Sequence, residues 1–215
     1  MRRPRSRSRR PWTRSRATRG YINLLIVNLG VVGLAKQYDP SLSIRNLCRK
    51  LFNDMAIADL TQTFDVNLTG AYFTMLVFLE LLKAGNKNAF NGGFGAPNKE
   101  AGDVPLILSQ VIFARNVSSY SRHISSPPAY TGCKAAIAHM AKHASTQLAK
   151  YEIRVNVMAP AIFPFDQAQG LMLTGDPSKE SYDDPRITPS RRFASDEEMG
   201  GILLYLGKEW NIPGM

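Results

Sequence analysis

Three short runs rich in β-branched and aliphatic residues alternate with longer helical segments along this chain of 215 residues. The runs cover residues 23–28, 111–117 and 153–158, and their largely apolar composition is typical of strands buried on both faces of a sheet. A helix is predicted over residues 130–151, directly before the third run. This alternation of strands and helices is typical of a parallel α/β sheet, in which a helix joins neighbouring strands through a right-handed crossover.

The remaining segments divide into helices and loops. Apolar residues on more than one face predict a well-buried helix over residues 65–83, and residues 36–60 are expected to be partly helical. Ser195 and Glu198 have the spacing of a capping box, which predicts a helix over residues 195–206. The glycine, asparagine and proline content of residues 84–103 predicts a loop.

Positive charge is concentrated at the N-terminus. Residues 1–19 contain nine arginines and no acidic residue, so they account for most of the net charge of +10 and leave the rest nearly neutral. Such a block predicts a disordered tail over residues 1–20, followed by a domain over 21–207 and a C-terminal tail over 208–215. The arginine tail is interpreted as a solvated appendage, an organelle transit peptide, or a phosphate-binding segment that would contact nucleic acid.

Cysteine usage and hydropathy bear on localisation. Cys48 and Cys133 are far apart and belong to no CxxC or Cys/His cluster, so neither a metal site nor a disulfide is predicted. A reducing compartment follows, and we expect the cytoplasm, with mitochondrial import through the arginine-rich N-terminus as the alternative. Because no run of about 18 uncharged apolar residues occurs, no membrane span is predicted.

Tyr130 and Lys134 form a candidate acid/base pair. Residues four apart on a helix share one face, so the ammonium is expected to lie beside the phenol. A free phenol has a pKa near 10, and a neighbouring cation favours the phenolate and lowers that pKa. The pair therefore predicts general acid/base chemistry on a hydroxyl or carbonyl group, although any helix can carry tyrosine and lysine at this spacing by chance.

Four motifs in order resemble the short-chain dehydrogenase/reductase family, and fungal members of it in particular. The motifs are Leu24-Leu-Ile-Val-Asn-Leu-Gly30, Asp65-Val-Asn-Leu-Thr-Gly70, Asn116-Val-Ser-Ser119 ahead of Tyr130-x-x-x-Lys134, and Ile153-Arg-Val-Asn-Val-Met-Ala-Pro160. The resemblance covers residues 21–207 and implies an NAD(P)-dependent oxidoreductase with a three-layer Rossmann-like parallel sheet. It also implies a small carbonyl or alcohol substrate, and a homo-oligomer that pairs through apolar outer faces of the helices at 65–83 and 130–151.

The resemblance also implies roles for individual residues. Tyr130 would exchange a proton with the substrate oxygen, and Lys134 would lower the pKa of that phenol and bind the nicotinamide ribose. Asn67 would kink the long helix and hold a water molecule in a proton relay. The cofactor would further contact the residues at the ends of the first and third strands, which are Asn28, Gly30, Pro160 and Ile162.

The serine that orients the substrate carbonyl in this family has two candidates here. Ser118 has the expected distance from Tyr130, with Ser119 beside it, whereas counting from the start of the second strand puts Asn116 at that position. Ser118 is the preferred candidate, and Asn116 remains the alternative. Ala161 replaces the glycine that the family has after Pro160.

The chain also departs from the family in what it lacks. No GxxxGxG or GxGxxG motif occurs, although the family binds the cofactor pyrophosphate at such a turn. The resemblance thus implies an incomplete sheet, which holds only the strands that the family numbers 4 to 6. The domain is expected to be shorter than the family's at both its N-terminal and its C-terminal end. We therefore expect the chain alone to bind NAD or NADP weakly or not at all and to show no measurable turnover, and a non-catalytic remnant acting as an interaction protein is the rival hypothesis. Neither the substrate nor the choice between NAD and NADP can be predicted.

Overall fold

The computed structural model describes residues 20–33, 38–98, 105–120, 127–163, 176–179, 181 and 190–207. The predictions for the arginine-rich segment, for residues 208–215 and for most of the loop after Phe163 lie outside these residues. The described part contains three strands, which we label β1 (Leu24–Val27), β2 (Gln110–Ala114) and β3 (Arg154–Met158).

The three strands form one parallel sheet in the order β1-β2-β3. Leu24 pairs with Gln110, and Gln110 pairs in turn with Arg154. The predicted Rossmann-like parallel sheet is therefore confirmed. The second strand is shorter than the prediction of 111–117, because the chain turns into a 3₁₀ segment over Val117–Ser119.

Five α-helices flank this sheet in the described residues. They are α1 (Ile44–Asp54), α2 (Ile57–Phe64), α3 (Gly70–Phe90), α4 (Pro128–Leu148) and α5 (Asp196–Gly207). The capping box of α5 is present, since the Ser195 amide donates to Glu198 Oε2 at 2.9 Å and the Glu198 amide donates to Ser195 Oγ at 3.3 Å. The α4 helix agrees with the prediction and is followed by a short 3₁₀ turn, Ala149–Tyr151.

The third helix is longer than predicted at both ends. It continues from α2 through a π-helical turn, Asp65–Thr69, and it extends to Phe90, so the loop expected from residue 84 begins seven residues later. Two contacts explain the extension. Gly85 brings the helix against the Ile22 carbonyl, and the Asn86 side chain donates to the Glu152 carbonyl at 2.7 Å.

Helices cover both faces of the sheet at β2, whereas Leu24 and Ile26 of β1 are exposed, so the first run is not buried on both faces as its composition predicted. On one face, Val111 and Phe113 pack with residues of α3 and α4 such as Met75 and Ile137. On the other face, Ile112 and Ala114 pack against α5. This alternation of side chains along β2 gives a three-layer structure, and it assigns α3 and α4 to the same side of the sheet.

The run Ile57–Phe90 is long and apolar enough to cross a membrane by length and composition alone, with a mean hydropathy of 1.3 over its most apolar window. The expectation that the chain has no such segment was therefore wrong by this criterion, because the helix is longer than its predicted range. In this fold the run packs against the sheet and α4 through the buried residues Ala71, Met75 and Leu82, and less than a third of its most apolar window is buried.

Candidate active site

Tyr130 and Lys134 lie in the first two turns of α4, at the carboxyl end of β2. The Lys134 Nζ is 5.6 Å from the centroid of the Tyr130 ring and donates to the Ala114 carbonyl at 3.3 Å. Lys134 is only 5% exposed. Because Ala114 is the last residue of β2, the pair lies where ligands bind in open α/β sheets.

Burial acts on both members of this pair. It raises the pKa of the Tyr130 phenol above 10, and it lowers the pKa of the Lys134 ammonium below 10.5. The shift of the Tyr130 pKa is opposite to the direction expected from a neighbouring cation alone, because loss of water disfavours the phenolate. In this state the phenol is protonated at neutral pH and is available as a proton donor.

Asn67 lies in the π-helical turn between α2 and α3. Its side chain is fully buried and bonds both polar backbone groups of one residue, since Oδ1 accepts from the Val31 amide at 2.7 Å and Nδ2 donates to the Val31 carbonyl at 2.8 Å. The π-turn inserts an extra residue into the helix, a feature that is frequent at functional sites. Asn67 thus ties the loop after β1 to the helix layer.

Gly30 brings that loop close to the acid/base pair. A Cβ atom built on Gly30 would lie 2.8 Å from Asn67 Oδ1 and 3.3 Å from Lys134 Nζ, so any larger residue would displace one of these groups. The structure therefore brings Gly30, Asn67 and Lys134 together, as the motifs suggested. Asn28, by contrast, is exposed just after β1.

The turn after β2 holds the two candidates for the family's serine. Asn116 Oδ1 accepts a hydrogen bond from the Ser118 amide at 2.8 Å, so the carboxamide oxygen is engaged in its own turn. Ser118 Oγ is buried and has no hydrogen-bond partner among the described residues. The structure therefore engages the Asn116 carboxamide oxygen and leaves the Ser118 hydroxyl without a partner among the described residues.

The segment after β3 is joined to two neighbouring elements. The Pro160 carbonyl accepts from the Val117 amide at 3.2 Å, which connects it to the turn after β2. The Ile162 carbonyl accepts from the Ala194 amide at 2.9 Å, which connects it to the chain just before α5. Both predicted cofactor contacts thus follow the carboxyl end of β3, at the same edge as Lys134.

Sequence reasoning did not single out three residues near this site. Val31 is bonded by Asn67 through its backbone, which no side-chain pattern reveals. Cys133 is fully buried beside Lys134 and its thiol contacts the Thr63 carbonyl at 3.8 Å, while burial raises the pKa of the thiol. Arg115 is 7% exposed and follows directly after β2. The sequence signal that could have revealed Arg115 is a charged residue directly after an apolar strand.

The site thus contains a proton donor, Tyr130, a nearby cation, Lys134, and a buried hydroxyl, Ser118, along one edge of a parallel sheet. The family model described as enoyl-(acyl carrier protein) reductase matches residues 110–212 of the chain, which include the turn after β2, α4 and β3.

Curated relatives include proteins from fungi and from bacteria. The short-chain dehydrogenase/reductase SAT3 of Stachybotrys chartarum is 52% identical over 187 residues, which are 87% of this chain and 69% of that protein. The short-chain dehydrogenase/reductase PhomF of Diaporthe leptostromiformis is 33% identical over 192 residues, which are 88% of this chain and 60% of that protein. The chain therefore spans between three fifths and about two thirds of the length of these relatives.

Solved structures show the same fold at low sequence identity. ElxO with NADP bound has a TM-score of 0.65 and 16% identity, over 96% of this chain and 68% of that one. A short-chain dehydrogenase from Leptospira borgpetersenii with bound NAD⁺ has a TM-score of 0.66 and 16% identity, over 97% of this chain and 66% of that one. These matches show the fold, and the 52% identity to SAT3 over 69% of that protein establishes that the chain belongs to the short-chain dehydrogenase/reductase family.

Proposed function

We propose that the chain is an NAD(P)-dependent oxidoreductase in which Tyr130 transfers a proton to or from the oxygen of a small carbonyl or alcohol substrate. The observation that carries the proposal is the buried Lys134 ammonium, 5.6 Å from the Tyr130 ring at the carboxyl end of the central strand. A half-buried phenol beside a buried cation at a sheet edge suits acid/base chemistry better than a structural role, because burying the ammonium is costly.

The residues present fit the nicotinamide end of such a cofactor. Because Gly30 has no side chain, Asn67 Oδ1 and Lys134 Nζ can lie directly against its backbone. Lys134 uses one of its three N–H donors on the Ala114 carbonyl and would direct others to the cofactor ribose. When bound, the nicotinamide supplies or accepts the hydride. The 215 residues contain no glycine-rich motif to which the pyrophosphate can be assigned.

In the direction of carbonyl reduction, each residue has one task. The Ser118 hydroxyl, which is buried and unpaired among the described residues, would donate a hydrogen bond to the carbonyl oxygen and hold it near Tyr130. The Tyr130 phenol, kept protonated by burial, would then give its proton to that oxygen as the alcohol forms. The Lys134 ammonium would stabilise the resulting phenolate. Alcohol oxidation reverses these steps.

The test is a turnover assay on the purified 215-residue chain. Oxidation of NADH and of NADPH at millimolar concentration would be followed with a panel of ketones and aldehydes, because weak cofactor binding is expected. Tyr130→Phe should lower turnover by about 10²-fold or more. Tyr151→Phe, which changes an exposed tyrosine just after the far end of the same helix, is the matched control and should leave turnover unchanged.

The assay also decides between the proposal and the rival hypothesis. Turnover that depends on Tyr130 would support the proposal and contradict the expectation of an inactive chain. A folded chain without turnover, or turnover that Tyr130→Phe leaves intact, would overturn the proposal. A folded chain without turnover would favour a non-catalytic interaction protein.

The family pattern also leads us to propose a homo-oligomer formed through the outer faces of α3 and α4. The outer face of α3 carries the exposed residues Tyr72, Phe73 and Leu76, which supports its part in such an interface.

A further inference from the structure

Helix α1 exposes a row of apolar side chains. Ile44, Cys48 and Phe52 are spaced four residues apart, so they lie on one face of the helix, and we call them the α1 row. Ile44 is 81% exposed, Phe52 is 82% exposed and Cys48 is also exposed. No residue of α1 is buried, and the hydrophobic core of the described residues includes none of its side chains. Single exposed apolar residues are ordinary, but a row of them along one helix face marks a binding surface.

The polar positions of α1 carry a net positive charge. The helix has three basic residues, Arg45, Arg49 and Lys50, and one acidic residue, Asp54, at its C-terminal end. Lys50 Nζ lies 3.7 Å from Asp39 Oδ2, whereas Arg45 and Arg49 have no ion-pair partner among the described residues. The helix dipole disfavours a cation in the first turn, where Arg45 lies. The stability of the fold therefore does not account for these two arginines.

Both arginines lie along the margin of the α1 row. Arg45 precedes Cys48 by three residues, and Arg49 precedes Phe52 by three, so each is a neighbour of the row on the helix surface. Apolar side chains bordered by cations are typical of a helix that lies in the plane of a membrane interface, where the cations meet the headgroups. Residues 1–19 of the chain add nine arginines. Stable binding to a bilayer generally needs two such signals.

We propose that α1 binds the surface of an anionic phospholipid bilayer, with the α1 row among the acyl chains and Arg45 and Arg49 at the phosphate groups. Charge favours this partner over a second copy of the chain. Two copies would bring the same arginines together, and each copy has a formal net charge of +10. The inference is independent of the proposed function, because no residue of the acid/base site takes part in it.

The first test uses a thiol of the α1 row. Cys48 is exposed, and the other cysteine of the sequence, Cys133, is fully buried, so an NBD fluorophore should label Cys48 selectively in the folded chain. Vesicles of phosphatidylcholine with about 30% phosphatidylserine should shift the NBD emission to the blue and raise its intensity severalfold. Vesicles of phosphatidylcholine alone should have little effect, because they lack the negative surface potential.

Three results of this measurement would overturn the proposal. The first is a chain that binds neither kind of vesicle. The second is a chain that floats with the anionic vesicles while the emission stays unchanged, since the arginine-rich segment would then bind without α1. The third is a blue shift that grows with protein concentration in the absence of vesicles, which would identify a second copy of the chain as the partner.

Vesicle flotation of the unlabelled chain tests the apolar contact. Phe52→Glu should lower the partition constant on the anionic vesicles by about tenfold or more, because it removes a large apolar contact and adds a charge that phosphatidylserine repels. Phe94→Glu, at an exposed phenylalanine in the turn after α3, is the matched control and should have little effect. Equal losses in the two variants would contradict the assignment to α1. Both side chains are exposed, so the fold should be retained, which circular dichroism checks.

The same assay tests the cations. Arg45→Gln and Arg49→Gln should each lower the partition constant by about fivefold, since each removes one charge at the headgroups. Lys142→Gln, at an exposed position on α4, is the matched control and should leave binding nearly unchanged. An equal effect of all three substitutions would mean that only the total charge of the chain matters, and it would overturn the proposed orientation of α1.

Discussion

At the scale of single residues, the site holds a charge that its surroundings disfavour. Lys134 is 5% exposed, and burial is the main cause that lowers its pKa. The Ala114 carbonyl is a neutral partner and replaces only part of the lost hydration. A charge kept in such a place is typical of a functional site, where stability is lower than the fold could reach.

Lys134→Met should therefore stabilise the chain at pH 7, by about 1 kcal/mol, because methionine has a similar shape and needs no hydration. The folded-state pKa of Lys134 lies below 10.5, so the cost of the buried ammonium is fully present below that lowered pKa. The cost disappears as the pH rises through it. The gain from the substitution should thus be largest near neutral pH and should shrink toward pH 10.

Urea unfolding of both proteins between pH 7 and 10 measures this difference. Lys142→Met, at an exposed position on the same helix, is the matched control and should change stability little. A destabilised Lys134→Met, or a gain that does not vary with pH, would show that the ammonium is well solvated.

At the scale of elements, the long helix carries two buried asparagines with different purposes. Asn67, in the π-turn, bonds the backbone of Val31 beside the site. Asn86, near the other end, donates to the Glu152 carbonyl and accepts from the Ser109 amide at 2.6 Å. Asn86 satisfies the amide of the buried Ser109, whereas Val31, the partner of Asn67, is itself 44% exposed, and only Asn67 adjoins the acid/base pair.

Asn67→Leu and Asn86→Leu should each destabilise the chain by about 2 kcal/mol, because each removes at least two hydrogen bonds from a buried side chain to the backbone. Only Asn67→Leu should also move the NMR signal of a ¹³C-labelled Tyr130 ring, since the loop carrying Gly30 is released next to Lys134. Equal displacement of that signal in both variants would mean that the helix responds as one rigid body.

The elements themselves could be predicted from the sequence, and their junctions could not. The apolar runs predicted all three strands, and the Tyr130 and Lys134 spacing predicted which helix carries the pair. The π-turn at Asn67 depends on the contact with Val31, 36 residues earlier, so no local pattern encodes it. The same holds for the extension of α3 to Phe90, which depends on the fit of Gly85 against the Ile22 carbonyl.

At the scale of the whole molecule, the outer faces of the two long helices differ. The α3 helix exposes Tyr72, Phe73 and Leu76, with the first two rings in edge-to-face contact at 6.3 Å. The α4 helix exposes polar residues such as His139 and Lys142, so the apolar outer face expected for it was wrong. An interface between two copies would therefore bury the aromatic face of α3 and place a polar helix at its margin.

Phe73→Glu should shift a dimer to monomer, because the carboxylate would lose its hydration inside an isologous interface and would face its own symmetry mate. Sedimentation velocity at micromolar concentration measures this shift. Phe90→Glu changes another exposed phenylalanine near the end of the same helix and should leave the dimer intact. A monomeric unsubstituted chain would contradict the proposed homo-oligomer.

The register of the sheet also bears on the order in which the molecule folds. Gln110 pairs with Arg154 across 44 residues, whereas Leu24 pairs with Gln110 across 86 residues. Loop-closure entropy increases with the length of the loop, so β2 and β3, joined through α4, are expected to associate before β1 docks. The Val31 and Gly30 contacts follow β1 in the chain. Tyr130 and Lys134 would then reach their positions at the end of β2 early in folding. The loop that carries Gly30 and Val31 would pack beside them in the last step.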